Sequence, residues 1–302
     1  MNLLKLIANP RYRFDFLCRR GMYKNLVDDA FLKKAFKIKV GRNLDLQNPR
    51  TYNEKLQWLK LYNHDPRYTT LVDKYEVKSY VADKIGEEYL IPTLGVWDRF
   101  EDIDFSSLPE QFVLKCTHDS GGLVICKDRE SLDKDAAKRK IVRCLNQNFY
   151  FQNREWPYKN VRPRIIAEQY MEDSETADLR DYKFFCFDGE VKSLYVATDR
   201  QTPGEEVKFD FFDTDYNHID VRNGHQNAKQ LPQKPKCFEQ MKELAAKLSQ
   251  GIPHVRVDLY EVNGKVYFGE MTFFHMSGFA SFEPEEWDYR FGEWLKLPPK
   301  QD

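Results

Sequence analysis

Apolar residues recur at helical spacing over roughly the first 90 positions, then switch to the two-residue alternation of strands. Thr51-Tyr-Asn-Glu54 forms a capping box ahead of KLQWLKLY, whose Leu56, Leu59 and Tyr62 share one helical face. Asp65-Pro66 predicts the start of a further helix, with YTTLVDKYEVKSYVADKI continuing to Gly86 and carrying Lys74. LIPTLGVW then reads as a strand. QFVLKC and LVICK are short strands separated by THDSGG, and SLDKDAAKRKIVRCLNQNF is a helix capped by Ser131. RIIAEQYM is a strand, and DYKFFCFDGEVKSLYVAT is a strand pair around Asp188-Gly189. A charged stretch, 199–236, contains the strand VKFDFFD, followed by the helix CFEQMKELAAKLSQ, which ends at Gly251. The succession predicts an α+β fold in three parts: a helical N-terminal region over 1–90, an α+β unit over 91–180 and a second over 181–302.

The most informative segment is HVRVDLYEVNGKVYFGEMTF, residues 254–273, in which Arg256, Asp258 and Glu270 interrupt apolar alternation. A two-residue loop, Asn263-Gly264, would put Asp258 and Glu270 on opposite faces. A three-residue loop, Val262-Asn263-Gly264, sets Arg256 opposite Glu270 with Asp258 and Thr272 on the same face. It also gathers Val255, Val257, Leu259, Tyr267 and Met271 on the other face, and is the register expected because it sorts both. Two carboxylates about 4 Å apart repel by about 4 kcal/mol at an effective dielectric near 20. A shared proton, Arg256 or a divalent cation must offset that, and oxygen ligands suit Mg²⁺. A solvated Arg256–Glu270 pair with Asp258 facing water accounts for the pattern equally well.

A length of 302 residues suggests about two domains, and a formal net charge of -1 argues against bulk nucleic-acid binding. The cysteines, at 18, 116, 126, 144, 186 and 237, form no CxxC, so reduced thiols in a cytoplasmic protein are the plain reading. Cys116 and Cys126 flank one loop without implying a disulfide. No apolar run is long enough to cross a bilayer. The start, MNLLKLIANPRYRFDFLCRRG, lacks a small-residue cleavage site. Its basic, aromatic character suits either an anionic membrane surface or a helix packing on its own domain.

Weaker signals lie elsewhere. Lys115 precedes Ser120, Gly121 and Gly122, in a loop whose backbone N–H groups could approach an anion; an ordinary hairpin loop is the simpler explanation. In AEQYMEDSE, a polar strand end leads to Glu175 in an acidic loop, and Lys183 stands alone among aromatic residues.

In order, these signals resemble the ATP-grasp superfamily. The wording VDKYEVKSYV, FVLKCTHDSGG, DYKFFCFDGE and VRVDLYEVNGKVYFGEMTF is similar to its TupA-like branch, over roughly residues 45–290. The resemblance implies two α+β subdomains closing over ATP, and a role in bacterial surface-polysaccharide or teichuronopeptide biosynthesis. It implies that Lys115 and Lys183 touch ATP phosphates beneath Ser120–Gly122, with Lys74 also reaching the nucleotide. Glu168, Gln169, Tyr170 and Met171 would form the adenine-binding linker, and Glu175 would meet the ribose. Asp258 and Glu270 would bind Mg²⁺ and Arg256 would face the transferred phosphoryl group, with His275, Ser277 and Gly278 toward the substrate. Many members place Asn two residues after the second metal carboxylate, whereas this chain has Thr272, which puts a second metal site in doubt.

The implied activity is an ATP- and Mg²⁺-dependent carboxylate–amine ligase with an acylphosphate intermediate. Its partners would be a sugar, sugar-nucleotide or glycan bearing a carboxylate or amine, and an amino acid, with peripheral contact at the inner membrane surface through the N-terminus. A phosphotransferase on the same fold and a non-catalytic nucleotide-binding scaffold are alternatives. So is a glycosyltransferase, because Asp102-Ile-Asp104 and Asp213-Thr-Asp215 each have the D-x-D form.

Overall fold

A computed structural model describes residues 3–119, 121–174, 179–199, 204 and 206–301. Six helices open the chain: α1 (Leu3–Ala8), α2 (Pro10–Arg19), α3 (Asp28–Lys39), α4 (Tyr52–Tyr62), α5 (Arg67–Val72) and α6 (Val77–Ile85). The capping box is present: the Thr51 hydroxyl accepts from the Glu54 N–H and the Glu54 carboxylate accepts from the Thr51 N–H. Such a cap stabilises a helix by about 1 kcal/mol.

The single helix expected up to Gly86 is instead two, α5 and α6. The Asp73 side chain accepts the N–H groups of Tyr75 and Glu76 at 2.8 and 3.1 Å and pairs with Arg164, so the chain turns there. Lys74 therefore sits at the break rather than on a helix face, and its N–H donates to the Thr117 carbonyl.

A four-stranded antiparallel sheet follows, in the order β1-β4-β2-β3, from β1 (Thr93–Trp97), β2 (Phe112–Cys116), β3 (Leu123–Cys126) and β4 (Ile165–Gln169). Helix α7 (Lys134–Leu145) covers one face, where Ile141 joins Phe112, Leu114, Ile165 and Ala167 in a separate small core. Its cap is Asp133, which accepts from the Ala136 N–H, and not Ser131, which donates to the Asp128 carbonyl. A short helix, α8 (Tyr150–Asn153), precedes β4.

The second sheet is six-stranded and antiparallel. It contains β5 (Asp181–Phe187), β6 (Glu190–Thr198), β7 (Lys208–Phe212) and β8 (His218–Ile219). A short strand, β9 (Arg222–Asn223), and helix α9 (Phe238–Leu248) lead to β10 (Val255–Val262) and β11 (Lys265–Thr272), which complete the order β11-β10-β5-β6-β7-β8. Strand β12 (Phe282–Glu283) pairs with β9, and α10 (Glu286–Trp294) follows. Side-chain alternation gives this sheet two different faces. Phe184, Val257 and Leu259 pack against Phe238, Met241 and Leu244 of α9. The opposite face carries Asp181, Lys183, Arg256 and Asp258, and further along Phe185, which α4 and α10 cover through Tyr52 and Phe291. Residues of α2 to α6 share one core with this sheet, so the helical N-terminal region has no core of its own.

The hairpin differs from the expected register. Val262 pairs with Lys265, so the loop is the two-residue Asn263-Gly264, with φ of 52° and 72° as a type I′ turn requires. A bulge at Gly269 then shifts the pairing, placing Asp258 opposite Glu270 and Arg256 opposite Thr272. A Cβ on Gly269 would lie 2.9 Å from Tyr260 Cε2 and 3.0 Å from the Asp258 carbonyl oxygen, so any side chain at the bulge would force the Tyr260 ring or the strand to shift. Face sorting is achieved by the bulge rather than the loop, and the residues of β11 that reach the core are Val266, Phe268 and Met271, not Tyr267.

Candidate active site

A cavity of about 250 Å³ opens between the two sheets, lined by Lys74, Lys78, Lys115, Asp119, Glu168 and Glu270 among others. It joins residues more than 150 positions apart in sequence. Leu90, Ile91, Tyr260 and Phe268 add apolar wall.

From the four-stranded sheet, Lys115 of β2 and Glu168 of β4 meet at 2.6 Å, and Lys78 of α6 binds the other oxygen of Glu168 at 2.6 Å. Burial favours the neutral carboxyl of Glu168, but Lys115 and Lys78 outweigh it and hold its pKa below the ordinary value. Burial likewise opposes the Lys115 ammonium, and Glu168 more than reverses that, so its pKa is raised. The loop after β2 is tied down by backbone: the Gly122 carbonyl accepts from the Cys116 N–H at 2.7 Å, and the Gly122 N–H donates to Asp119. A Cβ on Gly122 would meet Cys116 Sγ at 2.5 Å. The Lys74 ammonium donates to the Asp119 carbonyl, fastening the break between α5 and α6 to this loop.

From the six-stranded sheet, Arg256 grips Asp258 in a fork, Nε to Oδ1 and Nη2 to Oδ2, both at 2.7 Å. Its Nη2 also donates to Thr272 Oγ1 at 3.0 Å and reaches Glu270 Oε1 at 3.4 Å. Its Nη1 donates to His275 Nδ1 at 2.9 Å, so the His275 Nε2–H donates to Asn223 Oδ1. Burial keeps that imidazole neutral, with its pKa well below the ordinary value. Lys183 of β5 pairs with Asp181 at 2.5 Å and with Asp258. Asp258 is fully buried with both oxygens taken, and burial raises its pKa to about 6 against the pull of Arg256 and Lys183. The Glu270 side chain is 42% exposed. Burial would raise its pKa, but Lys183, Lys74 and Arg256 together bring it down to about 2. Glu270 is therefore the open carboxylate of the pair, and Asp258 the one sealed behind Arg256.

Beyond β11 the chain enters a left-handed stretch, Met276 at φ 47° and Ser277 at φ 56°. A buried polar network holds it. Lys60 of α4 donates to the carbonyls of Ser277 and Asn153 and to Gln57 Oε1, at 2.8 to 3.0 Å. The Ser277 hydroxyl donates to Glu155 at 2.5 Å and accepts from Asn153 Nδ2 at 2.9 Å. Strain of this kind persists only where the surroundings over-determine it, and here the loop it fixes carries His275 to Arg256.

The structure thus brings Lys74, Lys115, Gly122, Glu168 and Glu270 to one cavity, with Lys183, Arg256, Asp258, Thr272 and His275 in the network behind it. Gln169 ends β4, and Tyr170 and Met171 lie on the chain leaving it. That chain reaches the hairpin tip, where Asp173 accepts from the Asn263 N–H at 2.8 Å. Gly121 belongs to the same loop but does not line the cavity. Ser120 and Glu175 lie outside the described residues. Lys78, Asp119 and Asp181 are site residues that the sequence reading missed. Lys78 stood in the quoted VDKYEVKSYV, but a break at Asp73 was needed to turn it inward.

A larger groove of about 1210 Å³ lies on the opposite face of the six-stranded sheet, where Tyr182 and Glu261 line it. Those side chains alternate with Asp181 and Tyr260, which line the first cavity. All six cysteines are free; Cys126 pairs with Phe112, at the other end of β2 from Cys116. Among the described residues no group of three or more His, Cys, Asp or Glu forms a metal cluster, and no helix is long and apolar enough to cross a membrane.

No curated protein matches the chain. Among solved structures it is similar to ATP-grasp ligases. These include D-cycloserine synthetase DcsG (18% identity, 76% of this chain and 70% of that one, TM-score 0.42) and D-alanine–D-alanine ligase from Bacillus anthracis (15%, 94% and 90%, TM-score 0.44). Another is the ligase PsnB, complexed with a minimal precursor, Mg and ADP (10% identity, TM-score 0.39), of which the alignment covers 73% of this chain and only 57% of that one. A family model described as TupA-like ATPgrasp matches residues 54–296, and the chain belongs to that family.

Proposed function

We propose that this protein is an ATP- and Mg²⁺-dependent carboxylate–amine ligase acting in bacterial surface-polysaccharide biosynthesis, in the cytoplasm. The observation that carries the reading is the convergence of Lys115 and Glu270, from different sheets, on one cavity. The donor set fits the proposed ligands. Lys74, Lys78 and Lys115 offer cations to a triphosphate, Gly122 lines the cavity beside them, and Glu270 is an exposed carboxylate with a depressed pKa. Magnesium is commonly held by one or two carboxylates together with substrate phosphates, so a three-residue protein cluster is not needed. Asp258 would be the second ligand only after Arg256 loosens its fork.

When bound, Mg²⁺ would neutralise the triphosphate; a substrate carboxylate oxygen would take the γ-phosphoryl group with release of ADP, and an amine would then attack the acyl carbon and expel phosphate, leaving an amide. The chain's own residues do the positioning. Arg256 is held by Asp258, Thr272 and His275 and so is fixed in orientation before substrate arrives. The acid or amine would belong to a sugar, such as a uronic acid or amino sugar, with an amino acid as its partner. Glu168 to Met171 would border the adenine, with Leu90, Ile91 and Phe268 as apolar wall.

A glycosyltransferase reading gains nothing from the two D-x-D triplets. Asp102 pairs with Arg99 and Asp104 accepts from Ser106, while Asp213 accepts the N–H groups of Asp215 and Asn217. Both triplets build local turns. Incubation with ATP, Mg²⁺ and panels of acids and amines tests the proposal: ADP and phosphate with an amide product support it, and AMP with pyrophosphate contradicts it. A phosphate ester in the mass spectrum would identify a phosphotransferase instead.

A further inference from the structure

The N-terminal segment precedes the family match, which begins at residue 54. Residues 1–27 contain six Lys or Arg and one acidic residue, Asp15, although the whole chain has a formal net charge of -1. Asp15 is neutralised by Lys39 at 2.6 Å. The four most exposed large apolar side chains among the described residues all lie in this segment: Leu4 (80%), Val27 (70%), Ile7 (69%) and Met22 (68%), against 47% for Leu231, the next.

Helix α2 arranges the rest. Phe14 and Cys18, four residues apart, are its buried stripe. At 3.6 residues per turn the opposite side carries Tyr12, Arg13, Phe16, Arg19 and Arg20. The Arg20 guanidinium lies 5.1 Å from the Phe16 ring centroid, and α1 is fastened to α2 by Arg13, which donates to the Ile7 carbonyl at 3.1 Å. The outer side is thus aromatic and cationic, while α1, which packs on α2, and the residues following α2 carry the exposed apolar side chains.

We propose that this segment docks the protein on the surface of a bilayer containing anionic lipid. Arg13, Arg19 and Arg20 would meet headgroup phosphates, Tyr12 and Phe16 would lie at the interface, and Leu4, Ile7 and Met22 would enter the acyl boundary. A free polyanion would satisfy the arginines but leave those apolar side chains in water, so the exposed apolar positions favour a lipid surface. The proposal is independent of the nucleotide cavity, which the segment does not line.

The test is co-sedimentation of the full chain with phosphatidylcholine vesicles, with and without phosphatidylglycerol, at low and high salt. The proposal expects binding only to the anionic vesicles, weakened by salt. It expects at least about tenfold weaker binding for Arg19→Glu/Arg20→Glu and comparable loss for Leu4→Asp/Ile7→Asp, with ATP-analogue binding matching wild type in both. It is overturned by no sedimentation with anionic vesicles, by equal binding to pure phosphatidylcholine, or by loss in the arginine variant alone. An apolar variant that abolishes a dimer, in a chain that does not bind vesicles, would assign the surface to a second copy and also overturn it. If wild-type chain bound vesicles but no ATP analogue, the nucleotide reading would fail and the docking would stand.

Discussion

Asp258 faces Glu270 directly across the β10–β11 hairpin, and the Arg256 guanidinium contacts both carboxylates. This places one sealed and one open acid on the wall between the sheets. The pairing exists because one residue of β11, Gly269, is left out of register.

Gly269→Ala is therefore expected to disturb the site as well as the strand. The added methyl group would crowd the Asp258 carbonyl and the Tyr260 ring. A destabilisation of about 1–3 kcal/mol is expected from the overpacking. The Mg²⁺-dependent component of nucleotide binding should fall further than that of Gly264→Ala, a change that strains the turn through its φ of 72° but whose added Cβ meets nothing within 4 Å. Urea denaturation with calorimetric titration separates the two effects.

Glu270→Gln keeps the shape of the open carboxylate and removes its charge. Turnover of ATP should drop at least about a hundredfold, while the melting temperature falls only modestly, because the lost attraction to Lys183, Lys74 and Arg256 is screened at a side chain that is 42% exposed. Wild-type turnover in this variant would mean that the open carboxylate serves no metal.

Lys60→Met tests the network under the left-handed loop. The change leaves the Asn153 carbonyl without its buried donor and the Ser277 carbonyl with only the longer bond from Gln57 Nε2 at 3.1 Å. A loss of about 2–4 kcal/mol is expected. If the network positions Arg256 through His275, kcat should fall while the dissociation constant for ATP is retained. A purely structural role would move only the unfolding midpoint.

Acid should weaken the fold through two buried histidines. Tyr52 donates to His254 Nε2 at 2.8 Å and His254 Nδ1 donates to the Cys186 carbonyl, so this ring is neutral. Burial brings its pKa down from 6.5 to about 3, and lowers that of His275 as well. Between those values the unfolded chain binds a proton that the fold excludes. Stability is thus complete above pH 6.5 and declines as the pH drops. Near pH 5 the contribution from His254 is a loss of about 2 kcal/mol. Asp258, raised by burial to about 6, acts in the opposite sense over part of the same range. The diagnostic comparison is accordingly the pH slope of the urea midpoint in wild type against His254→Gln, which should be flatter.

Much of the architecture was readable in the chain because each element carries its own local signal. The capping box at Thr51, the Asp188-Gly189 turn and the alternation in β5, β6, β10 and β11 all describe interactions within a few residues. What escaped depended on contacts made at a distance. The break at Asp73 needs Arg164 from the chain before β4, and the role of Lys78 follows from that break. The hairpin register was misjudged because a three-residue loop also sorts the two faces; the local mark of the true arrangement is the isolated Gly269 within the strand, which is where the bulge falls. The seal on Asp258 needs Lys183 from β5 and a guanidinium steered by His275.

The central claim is that two sheets contribute jointly to one Mg²⁺–nucleotide site. Calorimetric titration with a non-hydrolysable ATP analogue, with and without Mg²⁺, measures this directly on wild type, Lys115→Ala and Glu270→Gln. The account predicts Mg²⁺-dependent binding that weakens at least about tenfold in each variant, although the two residues lie on different sheets. Absence of binding by folded wild type, or wild-type affinity in either variant, would contradict it.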